Sequence, residues 1–345
     1  TEEGVRYFQE FHSHFLDRIQ LFSFFSRNSE KGRFIRNIPN YSGHTYDMTY
    51  TRKFPYNKSY IRAIQYLKRV HGITIVEEIA TYPYDSELKR SKYFITHFMA
   101  ATDRFYRKNG RSGVDFYSCV CDESFIFGVP CIPIMNGYTI VDNPDIQPNR
   151  ATDNTLHIVT LSTMKLWHGY DRLINGLIQY YSNKATAQTN GKVILHMIGD
   201  GPCCKDWKQL CDAGGISDFV VFHGMLTGND LEQLLSDCDV AVDSMGCHRK
   251  GLSTSSALKV REYLAHGLPV VYSSYDAITD GIQEYCMQVP PDENPVDIPS
   301  IISFHHSLEE WNRYYPVLRQ YAIDHCSWAP QLKKVTERVS KQRGK

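Results

Sequence analysis

The feature that most constrains this chain is an alternation of short apolar strands and amphipathic helices that runs, stops, and then starts again. It opens with a short strand, "YDMTYTR" (residues 46–52), and an amphipathic helix, "NKSYIRAIQYLKRVHG" (57–72), which ends on a glycine. A buried strand, "ITIVEEIA" (73–80), and a long helix over 85–110 closing at Gly110 follow. Next come a strand, "VDFYSCVC" (114–121), a short helix, "ESFIFG" (123–128), and a strand, "CIPIMNG" (131–137), that ends in Asn-Gly. Residues 141–154 are polar, hold two prolines and show no periodicity, which marks a linker. The alternation restarts with the strand "TLHIVTLS" (155–162) and continues through helix and strand to "LPVVYSS" (268–274). A closing stretch, 307–339, is helical and rich in aromatics, and the first fifty residues open with helical spacing of Phe8, Phe11, Phe15, Ile19 and Phe22. His12 and His14 in that segment read as surface or packing residues.

Strands alternating with helices predict parallel βαβ units and a doubly wound sheet, here one in each half. Ligands of such sheets sit beyond the carboxyl ends of the strands, so two halves predict an active site in a cleft between them. A length of 345 residues agrees with two domains, and 42% apolar residues supply two cores. Lys plus Arg and Asp plus Glu are balanced at 38 each, which argues against a dedicated nucleic-acid binder. No run of about 18 apolar residues appears and the start lacks the layout of a signal peptide. The chain begins Thr1-Glu2-Glu3, without Met, so an incomplete N-terminus is expected. Its ten cysteines form no C-x-x-C pair and its fourteen histidines no H-x-x-x-H pair beside an acid. A zinc site is therefore not expected, and reduced thiols in a cytoplasmic protein are.

Three segments carry binding chemistry. In "IGDGP" (198–202), Gly199 and Gly201 follow a strand, where glycine lets backbone approach a ligand; Cys204 breaks the dinucleotide fingerprint. An ordinary tight turn explains the same residues. In "LWHGYDR" (166–172), Gly169 precedes a helix and frees its first N–H groups, while His168 and Arg172 are able to meet a phosphate; a solvated helix start is the plain alternative. The most informative segment is "HRKGLSTSSALKVREYLAHGLPVV" (248–271). Arg249 and Lys250 stand in a Gly/Ser-rich loop, and Ser255 and Ser256 are good N-cap residues for the helix that follows. Its positive end and the backbone donors around Ser256, Ala257 and Leu258 form a cradle for a diphosphate. Lys259 and Glu262 lie three apart on one face of that helix, and a carboxylate there is able to accept from two vicinal hydroxyls.

"IGDGP", "FHG", "DCDVAV" and "LKVREYLAHGLPVV", in that order, resemble the C-terminal domain of retaining GT-B glycosyltransferases of family 4, the glycosyl transferases group 1, over residues 156–339. "WHGYDRLI" stands where that family has Lys-Gly before a helix, and "YAIDHCSWAPQLKKV" resembles its closing Ser-Trp segment. Before residue 150 the likeness is weaker; "IVEEIATYPYDSE" and "FGVPCIPIMNG" look like acceptor-domain strands of bacterial polysaccharide-assembly members. The resemblance implies a GT-B fold of two Rossmann-like domains facing a cleft: 1–150 on the acceptor side, 151–325 on the donor side, and a helix in 326–345 packing back on the first. It implies a nucleotide-diphosphate sugar donor, a glycan or lipid-linked glycan acceptor, no metal or other cofactor, retention, and a cytoplasmic setting that allows peripheral membrane contact.

Carried over by position, Glu262 matches the second glutamate of the E-x7-E motif, expected to hold the ribose. The first glutamate is replaced by Thr254, and the family's basic pair by Ser162 and His168. Lys165, Arg172, Arg249, Lys250 or Lys259 then has to face the charge that develops on the diphosphate. Lys259 and Glu262 are the expected catalytic pair. On the acceptor side Tyr84, Asp85 and Asn136 are candidates, with helix capping by Asp85 and a plain turn at Asn136 as alternatives. Another GT-B reaction class, an epimerase or phosphorylase, and a non-catalytic nucleotide-sugar-binding subunit are the rival functions.

Overall fold

The computed structural model describes residues 47–53, 55–79, 82, 94–121, 123–140, 155–308 and 310–344. The helix expected near the N-terminus, Tyr84, Asp85 and the linker over 141–154 lie outside the described residues. The chain forms two compact units: Thr1–Met135 with Ala329–Lys345, and Asn136–Trp328.

Unit 1 is built on a five-stranded sheet of order β1-β2-β3-β5-β4. Strands β1 (Met48–Arg52), β2 (Thr74–Ile79), β3 (Phe116–Cys119) and β5 (Val129–Pro133) run parallel. Helix α1 (Lys58–His71) joins β1 to β2, and α2 (Phe94–Arg111) joins β2 to β3. Asn57 caps α1 by accepting the Tyr60 N–H at 3.0 Å, and Gly72 ends it in the left-handed conformation with φ 62. Gly110 does not stop α2, which continues to Arg111. Glycine is needed there because a Cβ would lie 2.5 Å from the ring of Tyr56. "ESFIFG" is not a helix. Phe125–Ile126 is a strand, β4, that pairs antiparallel with β5 through a turn at Phe127 (φ 51) and Gly128 (φ 79). Two successive positive φ values define the type I′ hairpin turn, and Phe is not a residue that signals it. Residues 329–345 return to this unit: Leu332, Val335 and Val339 are buried, and the Gln331 side chain accepts the Met135 N–H at 3.0 Å.

The core of unit 1 holds a buried carboxylate. Glu77, fully buried on β2, accepts from Tyr56 and Tyr60 at 2.7 Å each, and the Tyr117 hydroxyl is 2.6 Å from that of Tyr56. Burial pushes its carboxyl upward and the two tyrosine donors offset part of that shift.

Unit 2 has a six-stranded sheet of order β11-β10-β9-β6-β7-β8, with every recorded pairing parallel. Its strands are β6 (Thr155–Leu161), β7 (Lys192–Ile198), β8 (Val220–Gly224), β9 (Val240–Val242), β10 (Val270–Tyr272) and β11 (Cys286–Gln288). The chain builds outward from β6 to β8, then jumps back beside β6 and builds the other way, which is the doubly wound order with its switch point between β6 and β9. Between them run α3 (Tyr170–Ser182), α4 (Lys184–Asn190), α5 (Cys204–Ala213), α6 (Asn229–Asp237) and α7 (Leu258–Ala265). Leu173, Ile174 and Leu177 of α3 pack on Leu195, Met197, Val240 and Val242 of the sheet. The closing stretch is helical, with a π turn between its two helices. α8 (Ile298–Ser307) and α9 (Trp311–Tyr321) precede a π turn over Ala322–Cys326, and α10 (Trp328–Gln342) starts afresh after Ser327. All ten cysteines are free thiols.

Candidate functional site

The switch point of unit 2 is closed by backbone. The loop after β6 and the loop after β9 touch where the Met245 N–H donates to the His168 carbonyl at 2.7 Å. A Cβ on Gly169, whose φ is 63, would lie 2.4 Å from the Gly246 nitrogen, so only glycine lets the loops meet. The hydroxyl of Tyr263 on α7 spans the two strand ends, taking the Leu161 N–H at 2.7 Å and reaching the Val242 carbonyl at 3.4 Å.

Lys259 enters this junction from α7. Its ammonium donates to the hydroxyls of Tyr170 (2.9 Å) and Ser244 (2.8 Å) and lies 3.1 Å from a carboxylate oxygen of Asp243. Asp243 is fully buried, and neither of its oxygens accepts a well-aligned hydrogen bond. The nearby ammonium is therefore the charge that compensates it. Burial works against a charged Lys259, but Tyr170 and Asp243 hold it above the ordinary lysine range. His168, stacked on the Tyr170 ring, accepts the Lys165 N–H on Nδ1 at 3.0 Å. Burial, and then the charges of Lys259, Lys165 and Lys250, push its pKa down to about 3. At neutral pH it is therefore an uncharged ring whose Nε2 carries the proton.

One turn further along α7, Glu262 receives a hydrogen bond from the Tyr138 hydroxyl at 3.2 Å. Burial raises its carboxyl and the Tyr138 donor offsets part of the rise. Lys259 and Glu262 thus share a helix but turn to different neighbours. The helix begins at Leu258 behind Ala257, and no side chain caps it. Ser255 and Ser256, expected as caps, lie just before it. The Asn136 side chain donates to the Ser256 carbonyl at 2.6 Å, and its N–H reaches the Ser256 hydroxyl at 3.4 Å. Asn136, expected on the acceptor side, here steadies the lead-in to α7 within unit 2.

Other expected residues are occupied by the protein itself. Arg172 is 2% exposed. Its guanidinium donates to the carbonyls of Met245 (2.6 Å), Asn294 (2.7 Å) and Pro290 (3.0 Å) and to Asp292 (2.7 Å). The fork expected for a phosphate is spent on tying α3 to the loops after β9 and β11. Arg249 pairs with Asp171 and Glu293 and donates to the Leu166 carbonyl, so two carboxylates offset its charge. Lys250 and Lys165 remain as cations beside the Trp167 ring, 4.8 and 5.0 Å from its centre. Gly199 and Gly201 make room for backbone. Their Cβ atoms would lie 1.8 Å from the Ser162 carbonyl and 2.0 Å from that of Thr163, and the Gly199 N–H is already bonded to the Gly224 carbonyl at 2.7 Å. Thr254 is exposed and bridges to Tyr275.

Asp243, Ser244, Tyr170 and Tyr138 escaped the sequence reading. An aspartate directly after the strand "VAV" at a switch point was a usable signal for the first. No local signal ties Tyr138 to a glutamate 124 positions away.

A parallel sheet with this strand order, in a chain with a second α/β unit, is the GT-B architecture. Residues 156–300 match the family model of the glycosyl transferases group 1. A search of curated protein sequences finds no significant match. Among solved structures, sucrose-phosphate synthase from Thermosynechococcus elongatus is similar over 92% of this chain and 81% of that chain, at 14% identity and TM-score 0.54. A pneumococcal O-GlcNAc transferase in complex with UDP and GlcNAc is similar over 90% of this chain and 60% of that chain, at 14% identity and TM-score 0.52. The catalytic domain of starch synthase IV from Arabidopsis thaliana, bound to ADP and acarbose, covers 92% of this chain and 79% of that chain, at 11% identity and TM-score 0.52. At such identities the likeness is one of fold.

Proposed function

We propose that unit 2 binds a nucleoside-diphosphate sugar at the β6–β9 switch point, and that the chain transfers the sugar with retention to a glycan or lipid-linked glycan. The observation that carries this reading is the environment of Glu262. It is a half-buried carboxylate one turn into α7, held by the neutral Tyr138 hydroxyl, on a helix whose first turn no side chain caps. A carboxylate so placed suits the paired hydroxyls of a ribose, and the open helix start suits the diphosphate. The Lys259 charge is held at Tyr170 and Ser244, and Lys165 and Lys250, at Trp167, share with it the neighbourhood of His168. The departing diphosphate gains negative charge as the glycosidic bond breaks, so this field favours the transition state over the bound donor. In this reading the donor phosphate assists deprotonation of the acceptor on the same face and no metal is needed. The same reading includes assembly of a cell-surface polysaccharide in the cytoplasm.

A panel of nucleoside diphosphates tested by thermal shift is expected to raise the melting temperature with one base. Ligand at a hundredfold of its Kd contributes about 2.7 kcal/mol. Glu262→Ala is expected to remove most of that shift and most transfer from labelled donor. Transfer unchanged in Glu262→Ala overturns the assignment. A second reading, a nucleotide-sugar-binding subunit, draws on the exposed Thr254 at the position of the first glutamate. It predicts an intact thermal shift with no turnover across the donor panel.

A further inference from the structure

Among the described residues the Glu262 carboxylate has one recorded hydrogen-bond partner, the Tyr138 hydroxyl, 3.2 Å from Oε1. Tyr138 belongs to no strand or helix and stands where the chain enters unit 2. The backbone on both sides of it is nevertheless fixed. Before it, the Asn136 side chain donates to the Ser256 carbonyl at 2.6 Å, just ahead of α7. Gly137 is buried so closely against Trp328 that a Cβ there would run into the indole ring. The Tyr138 N–H donates to the Cys326 carbonyl at 2.8 Å, where the π turn ends and a carbonyl lacks a helical partner of its own. With the main chain held at these points, the half-buried ring extends to α7 and its hydroxyl ends at Glu262.

An ionised carboxylate offers about four lone-pair sites, and protonation turns one of them into a donor. Tyr138 uses one site and leaves enough for two vicinal hydroxyls. Burial pushes the Glu262 carboxyl up, the Tyr138 hydrogen bond draws it down, and the Glu232 carboxylate of α6 adds to the rise. Of the groups that act on this carboxyl, Tyr138 is therefore the one that favours the ionised form. Lys259, one turn earlier, is bonded to Tyr170 and Ser244 and paired with Asp243. The His266 ring meets the main-chain carbonyl of Glu262 at 2.9 Å, and burial pushes it below the ordinary histidine range. Arg319 of α9 donates to the Ala265 carbonyl at 2.6 Å.

We infer that Tyr138 is a positioning residue for the donor: its hydroxyl fixes the direction of the Glu262 carboxylate, so that two ribose hydroxyls meet lone pairs already aimed at them. The inference rests on the reading of Glu262 as the ribose carboxylate. A free glutamate side chain loses rotamer freedom when a ligand binds, and one held beforehand spares that loss.

Tyr138→Phe removes one oxygen and keeps the ring. Wild type, Tyr138→Phe, Glu262→Ala and the double variant are titrated calorimetrically with UDP, ADP, GDP and CDP, and with the 2′-deoxy form of whichever binds. Tyr138→Phe is expected to weaken binding about fivefold. It is expected to lose binding at a higher pH than the wild type as the buffer is made acid, because the group that favours the ionised carboxylate is gone. The penalty for a missing 2′-hydroxyl is expected to drop from about tenfold in the wild type to about threefold, a coupling that a merely structural tyrosine would not show. Placed in Glu262→Ala, the same substitution is expected to change nothing further, since Tyr138 acts through that carboxylate. Should Tyr138→Phe melt early, titrations in the cold, below its transition, give the same readouts. The inference is overturned, with the ribose site intact, by a Tyr138→Phe that binds as well as the wild type or more tightly while Glu262→Ala binds poorly. An equal 2′-deoxy penalty in both proteins, or a further loss in the double variant, overturns it as well. A Glu262→Ala that binds like the wild type, or a wild type that binds none of the four, overturns the donor-site reading and this inference with it.

Discussion

An ammonium group has three N–H donors, and Lys259 directs them at two hydroxyls and a carboxylate. In the proposed donor site, its charge would therefore act on a diphosphate through the field and not through a direct hydrogen bond. The pairing also sets a cost. Lys259→Met leaves the Asp243 carboxylate buried without its counter-charge, and a loss of about 3–5 kcal/mol in urea unfolding is expected. Adding Asp243→Asn is expected to recover part of that loss, and a double-mutant cycle with purely additive effects would refute the coupling. Glu262 makes a contrasting case. Burial raises its carboxyl, so Glu262→Gln is expected to leave stability unchanged or slightly higher while weakening nucleoside-diphosphate binding about tenfold. A calorimetric titration beside a melting curve reads both quantities.

At the scale of elements, glycines decide how closely the loops of unit 2 pass. Gly199→Ala would set a methyl against the Ser162 carbonyl at a backbone φ of 113, and a loss of about 3 kcal/mol or more is expected by chemical denaturation. These glycines were conspicuous in the sequence, but their purpose was not: "IGDGP" suggested approach to a ligand, and the neighbour is the chain's own β6 loop. The strands and helices of residues 155–274 were legible because buried parallel strands are short apolar runs and the helices between them keep a 3.6-residue period. β4 was not legible, because "FIFG" fits one helical turn as well as half a hairpin. The two-residue strand gains its identity from pairing with β5. The candidate site was half legible. The motif put Lys259 and Glu262 on one helix, but not with the separate neighbours they have. The spending of Arg172 on loop carbonyls required three segments whose proximity only the folded chain supplies.

At the scale of the molecule, the two units differ in what holds them. The core of unit 1 surrounds Glu77 with tyrosines, and its folded carboxyl is raised above the unfolded value of about 4.3. The folded state therefore binds the proton more tightly, and stability falls as pH rises through the window between the unfolded and folded values. Relative to Glu77→Gln, the wild type is expected to gain stability as pH falls from neutral into that window. A gap between the two that stays constant with pH would contradict the shift. Unit 2 is drawn from one unbroken stretch, whereas unit 1 takes Ala329–Lys345 from beyond it. A chain cut after Trp328 is expected to lose the thermal transition of unit 1 and keep that of unit 2. On the ribosome, the same division imposes an order. Unit 2 has all its strands in hand before α10 is translated, while the buried Leu332, Val335 and Val339 of unit 1 are still unmade. Unit 1, although it is started first, is finished last, and until then its nascent sheet depends on whatever shields an unfinished fold from its neighbours.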